Sequence, residues 1–133
     1  MPQENVELVR RLNDLYNTRD FDELGKLMDP DFVWEMSRVE MPDSVRHAGL
    51  TALRRFVDTW DEGFASDHVE VEEMFDAGDR VLVVIHHSGR GRTSGIEVDQ
   101  RYAMVWTLRD GRAVRMDMYP TRDEALAAVG LEG

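Results

Sequence analysis

Apolar residues at Val6, Val9, Leu12 and Tyr16, with Leu8 and Leu15 between them, recur at helical spacing and predict an amphipathic helix near the start of the chain. A second helix is predicted over "DFDELGKLM". Asp20 can cap it, Glu23 stands at its third position, and Phe21, Leu24, Leu27 and Met28 form its buried side. The sequence Asp29-Pro30-Asp31 should stop that helix, because proline disfavours helical geometry in the residue before it. "FVWEM" (32–36) reads as a short strand. After a polar loop, Leu53, Phe56, Val57, Trp60 and Phe64 mark the apolar face of a third helix.

From there the period changes from helical to two. Strands are predicted over 68–75, 80–88, 97–109 and 113–119, separated by the turn signals "AGD", "GRGRTSG" and "DG". Asp110-Gly111 suits a tight hairpin, since both residue types accept the positive φ that such turns need. Thr121 with Glu124 forms a capping box for a last short helix, which Gly130 closes. Segregation of helices from strands indicates an α+β class. The expected architecture is one domain over 1–133. Three N-terminal helices pack in the concavity of a curved mixed or antiparallel sheet, a short C-terminal helix follows, and a conical cavity is enclosed.

Sixteen basic residues against 27 acidic ones give a formal charge of −11, which argues against nucleic acid and anionic membranes as partners. No apolar run approaches the ~20 residues of a membrane span. With no cysteine there is neither a disulfide framework nor a thiolate metal site, and a cytoplasmic location is expected. Adjacent residues on a strand point to opposite faces, so His86 and His87 cannot both enter one site and make a poor chelating pair. Gly89, Gly91 and Gly95 lead from strand to strand without the helix N-terminus of a dinucleotide fingerprint. No metal or cofactor is implied.

The order of elements resembles a SnoaL-like protein of the nuclear transport factor 2-like (cystatin-like α+β cone) superfamily. So do "RDFDEL…DPDFVWE", "HAGLTALRRFVDTW", the "GRGRTSG" hairpin, "VWTLRDGRAVRMDMY" and "RDEALAAVGL". Relatives include polyketide cyclases, ketosteroid isomerases, limonene epoxide hydrolases and non-catalytic binding proteins, so the fold does not fix the chemistry. Alignment with ketosteroid isomerases implies that Ala103, Val105 and Thr107 line the cavity with Met116 and Met118, while Arg115, Asp117 and Tyr119 face a second subunit. The isomerases' carbonyl-polarising acid falls on Ala103 and their oxyanion tyrosine near Leu12, with Tyr16 one turn along, which disfavours steroid isomerisation. Their general base falls close to Glu35.

The resemblance to the cyclases makes Glu35 the candidate base. Among Phe32, Trp34, Met116 and Met118 it would lose hydration and gain basicity. His86, if inward, would share the proton, and Arg101 would hold developing enolate charge. Tyr16, Trp34, Trp60, Ala103, Val105, Met116 and Met118 are the expected substrate contacts. The plainer alternatives are an exposed Glu35, a structural His86 and an Arg101–Asp99 surface pair. Three functions therefore stay open: a cofactor-free isomerase, cyclase or hydrolase; a carrier of a small hydrophobic molecule; and an assembly module. A homodimer through the sheet face, with Tyr102, Met104, Trp106 and Tyr119 at its core, is compatible with each.

Overall fold

The computed structural model describes residues 2–38, 46–49, 51, 54–55, 58, 62, 64–93, 95 and 97–131. Helices α1 (Pro2–Asn17) and α2 (Phe21–Lys26) come first, then strands β1 (Met28–Glu35) and β2 (Arg46–Ala48). The long strands β3 (Phe64–Ala77), β4 (Arg80–Gly91), β5 (Glu97–Arg109) and β6 (Arg112–Tyr119) follow, and α3 (Arg122–Val129) ends the order. Between β2 and β3 the described positions Thr51, Arg54, Arg55, Asp58 and Glu62 are helical. Of the apolar positions expected on that third helix, Leu53, Phe56, Val57 and Trp60 lie outside the described residues, whereas Phe64 instead opens β3.

Local chemistry accounts for the boundaries. Asp20 accepts the backbone N–H of Glu23 at 3.3 Å, and Thr121 accepts that of Glu124 at 3.2 Å, so both predicted caps form. Asp110 and Gly111 adopt φ of 53° and 77°, as the tight β5–β6 hairpin requires. Met28, expected at the end of the second helix, instead opens β1, and that strand is irregular across Asp29-Pro30-Asp31 before it pairs regularly from Val33. Proline has no N–H for the ladder, which explains the interruption.

Among the described residues, six strands run in the order β2-β1-β6-β5-β4-β3, with β1 and β6 parallel and the other neighbours antiparallel. A bulge between Val71 and Glu73 bends β3, as an extra residue in one strand does. β3 is an edge strand, and α1 seals it. Asn17 Nδ2 donates to the Val69 carbonyl at 2.7 Å, while the Val69 N–H donates to Asn17 Oδ1 at 2.9 Å. Asn13 Nδ2 reaches the same carbonyl at 3.1 Å. Side-chain amides thereby supply the donor and acceptor that a neighbouring strand would offer.

The sheet separates two apolar layers. On its inner face α1 and α2 pack against the sheet around Val9, Leu12, Leu24, Phe32, Met36, Ile85 and Met118. On its outer face α3 sets Ala125, Leu126 and Val129 against Leu82, Val84, Ala103 and Val105. No helix among the described residues is long and apolar enough to cross a membrane.

Candidate functional site

Strand register decides what faces inward. Val81, Val83 and Ile85 of β4 stand opposite Trp106, Met104 and Tyr102 of β5. Met104 and Trp106 in turn stand opposite Met118 and Met116 of β6, and Trp34 of β1 lies beside Met116. Directly opposed residues share a face, so these side chains form one continuous inner surface. His87 extends the β4 row by one more position and pairs with Val69 of β3.

That surface does not close completely on the helices. A cavity with about 770 Å³ of empty space, counted with its opening to solvent, lies between them. Helix α1 contributes Leu12, Asn13 and Tyr16 to its wall, α2 contributes Phe21 and Leu24, and β1 contributes Met28, Phe32 and Trp34, with Met36 just beyond. Val69, His87, Tyr102, Met104, Trp106, Met116 and Met118 supply the sheet side. The Phe32 and Trp106 rings lie 6.0 Å apart, inclined by 30°. The His87 imidazole meets the Tyr102 ring edge-on at 6.3 Å and is only 1% exposed.

No carboxylate, lysine or arginine lines this space among the described residues, and His87 is its one imidazole. Also among the described residues, no group of three or more His, Asp or Glu side chains is placed to hold a metal ion.

Of the residues singled out from sequence, Tyr16, Trp34, Met116 and Met118 line the cavity. Ala103 and Val105 do not. They are buried on the outer face beneath α3, because they pair with Tyr119 and Asp117, not with the methionines between them. Trp60 lies outside the described residues.

Glu35, His86 and Arg101 also lie away from the cavity. Glu35 alternates with Trp34 and Met36, and so sits beside Asp117 on the outer face, where its carboxylate accepts from the Ser37 hydroxyl. His86 pairs in register with Arg101 and Glu70, and its Nε2 is 2.6 Å from Asp99 Oδ1. Arg101 Nε donates to Glu72 at 2.9 Å, a nearer partner than Asp99 at 4.0 Å. The expected convergence of these three groups inside an apolar chamber therefore does not form.

Tyr102, Met104 and Trp106, named as a subunit interface, belong instead to the cavity wall, whereas Arg115, Asp117 and Tyr119 do face away. Around Asp117 the outer face is ordered by charge. Arg115 grips it with two hydrogen bonds of 2.9 Å, and Arg38 adds one of 3.1 Å. Burial pushes the Asp117 carboxyl up, but the Arg115 and Arg38 hydrogen bonds and charges outweigh it and hold the group below the usual range.

Alternation in "FVWEM" was the available signal for Phe32, Trp34 and Met36 as the inward set. For His87 the signal was ambiguous, because α3 makes both faces of β4 apolar.

Comparison with solved structures returns the same architecture. An NTF2-like protein from Burkholderia pseudomallei K96243 matches with a TM-score of 0.76 at 19% identity, over 95% of this chain and 97% of its own. A candidate SnoaL-like polyketide cyclase from Jannaschia sp. CCS1 matches with a TM-score of 0.75 at 24% identity, over 98% of this chain and 94% of its own. A candidate polyketide cyclase from Sinorhizobium meliloti matches at 26% identity with a TM-score of 0.65, over 84% of this chain and 93% of its own. No functionally curated protein matches the sequence. The sequence pattern of the SnoaL-like domain covers residues 9–116, and the chain belongs to that family.

Proposed function

We propose that this protein takes a small apolar, ring-containing molecule into the cavity and that His87 exchanges a proton with it. The observation that carries this is the composition of the wall. Aromatic rings and methionines surround a single buried imidazole, with no charged side chain beside it among the described residues. Aromatic faces supply large contact area, and methionines adapt to an irregular ligand outline. An imidazole both accepts and donates protons near neutral pH, which suits abstraction of an acidic proton from carbon beside a carbonyl and its return elsewhere. Tyr16, Tyr102, Asn13, Trp34 and Trp106 are the wall residues whose hydroxyl, amide or indole N–H groups would orient that carbonyl. This reading keeps the cofactor-free isomerase or cyclase class and moves the proton-transfer role from Glu35 to His87.

The alternative, a carrier that performs no chemistry, shares the same chamber. One experiment separates them, using 2-tetralone in deuterated buffer. Quenching of tryptophan fluorescence from Trp34 and Trp106 reports binding, and loss of the α C–H signal reports proton exchange. Binding with exchange that disappears in His87→Gln supports the enzyme reading. Saturable binding without exchange selects the carrier, and exchange undiminished in His87→Gln removes His87 from the chemistry.

A further inference from the structure

We infer that the cavity is built for a ligand with an anionic oxygen group, such as a carboxylate, held at the rim by Arg19 and Arg54 while its apolar body lies inside. This rests on the chamber reading above and adds the chemistry of its entrance. Five residues of the wall are half-buried, Asn13, Tyr16, Phe21, Met104 and Trp106, and of these Tyr16 and Phe21 lie at the end of α1 and the start of α2.

Each of these two rings carries a guanidinium on its face. The Arg19 Cζ stands 4.4 Å from the Tyr16 ring centroid, and the Arg54 Cζ stands 4.6 Å from that of Phe21. Stacking on a ring holds a guanidinium in place by its flat face.

Arg19 is fixed further. Its Nη1 donates to the Tyr16 carbonyl at 2.7 Å, and its backbone adopts a φ of 59°, a left-handed conformation uncommon outside glycine. The turn thus brings the cation back over the preceding helical turn. Arg54 pairs with Asp58 at 3.4 Å, four residues along, and both side chains are more than half exposed. A pair of that kind is weak and yields readily to a better-placed anion. On a chain of net charge −11, two guanidinium groups stacked on cavity-lining rings set positive charge beside the wall. Planar guanidinium edges match the two oxygens of a carboxylate.

The test compares 4-biphenylcarboxylate with 4-biphenylcarboxamide, nearly equal in shape and different in charge, by calorimetry at neutral pH and low salt. The wild-type protein is expected to bind the carboxylate roughly five- to tenfold more tightly, a preference that shrinks as salt screens it. Arg19→Gln and Arg54→Gln should each reduce that ratio, and the double variant should bring it to about one. The two substitutions lie on different elements, and near-UV circular dichroism verifies that each variant is folded. Equal affinity for both compounds in the wild type, or an undiminished ratio in the folded double variant, overturns the rim and leaves the chamber standing. Failure of the amide and the carboxylate alike to bind overturns both readings.

Discussion

The two faces of one sheet carry different chemistry. Inward, the rows through Ile85, Tyr102, Met104, Trp106, Met116 and Met118 are apolar and leave a space, with His87 at the far end of the β4 row. Outward, a single strand such as β5 is divided along its length. Ala103 and Val105 lie sealed beneath α3, while Asp99 and Arg101 stand open to solvent in ion pairs. A mixed face therefore marks a strand half covered by a helix, and a uniformly large apolar face marks the wall of the hollow. Placing a charged group in such a hollow without partners is costly, which explains why the acids sit outside.

Breaking the inner face should have the largest effect. Phe32 is 1% exposed and packs on Trp106, so Phe32→Ala should remove about 3–5 kcal/mol of stability, measured by urea unfolding. Next comes the seal between α1 and the sheet edge. Asn17→Ala leaves the Val69 N–H without its side-chain acceptor and should remove roughly 1–3 kcal/mol, with faster amide exchange at Val69.

On the outer face, Asp117→Asn should weaken the grip of Arg115 and Arg38 and reduce stability by about 1–2 kcal/mol at neutral pH. The folded Asp117 carboxyl is held below its unfolded value, so its contribution is complete above the unfolded pKa. It is lost as pH falls through the folded pKa, and the gap between wild type and variant should close in acid. The smallest effect belongs to the open half of the outer face, where Arg101→Gln should leave the unfolding midpoint and the binding of 2-tetralone indistinguishable from wild type. A large loss there would erase the contrast between the faces.

The elements behind this contrast were legible in the sequence, but the inward faces of the strands were not, and that has a definite cause. Period and capping residues located α1, α2, the hairpins and α3, because those signals are local: Asp20, Thr121 and Asp110-Gly111 act on their own neighbours. Which face of each strand turns inward is a global property. It depends on where α3 lands, and a helix presenting only Ala125, Leu126 and Val129 to the sheet announces its floor weakly. Placing Trp34 and Glu35 together in one chamber also conflicted with strand alternation, and so did grouping Ala103 and Val105 with Met116 and Met118 against the β5–β6 register. The histidine pair was resolved to the extent that only one could enter. Identifying it as His87 required the pairing with Val69 at the sealed edge.

The most direct measurement follows the imidazole signals of His86 and His87 by NMR, assigned with His86→Gln and His87→Gln, as 4-biphenylcarboxamide is added. With His87 in the chamber wall and His86 beside Asp99 on the opposite face, the His87 signals should shift and saturate while those of His86 stay in place. A shift confined to His86, or none in either ring, would contradict the account.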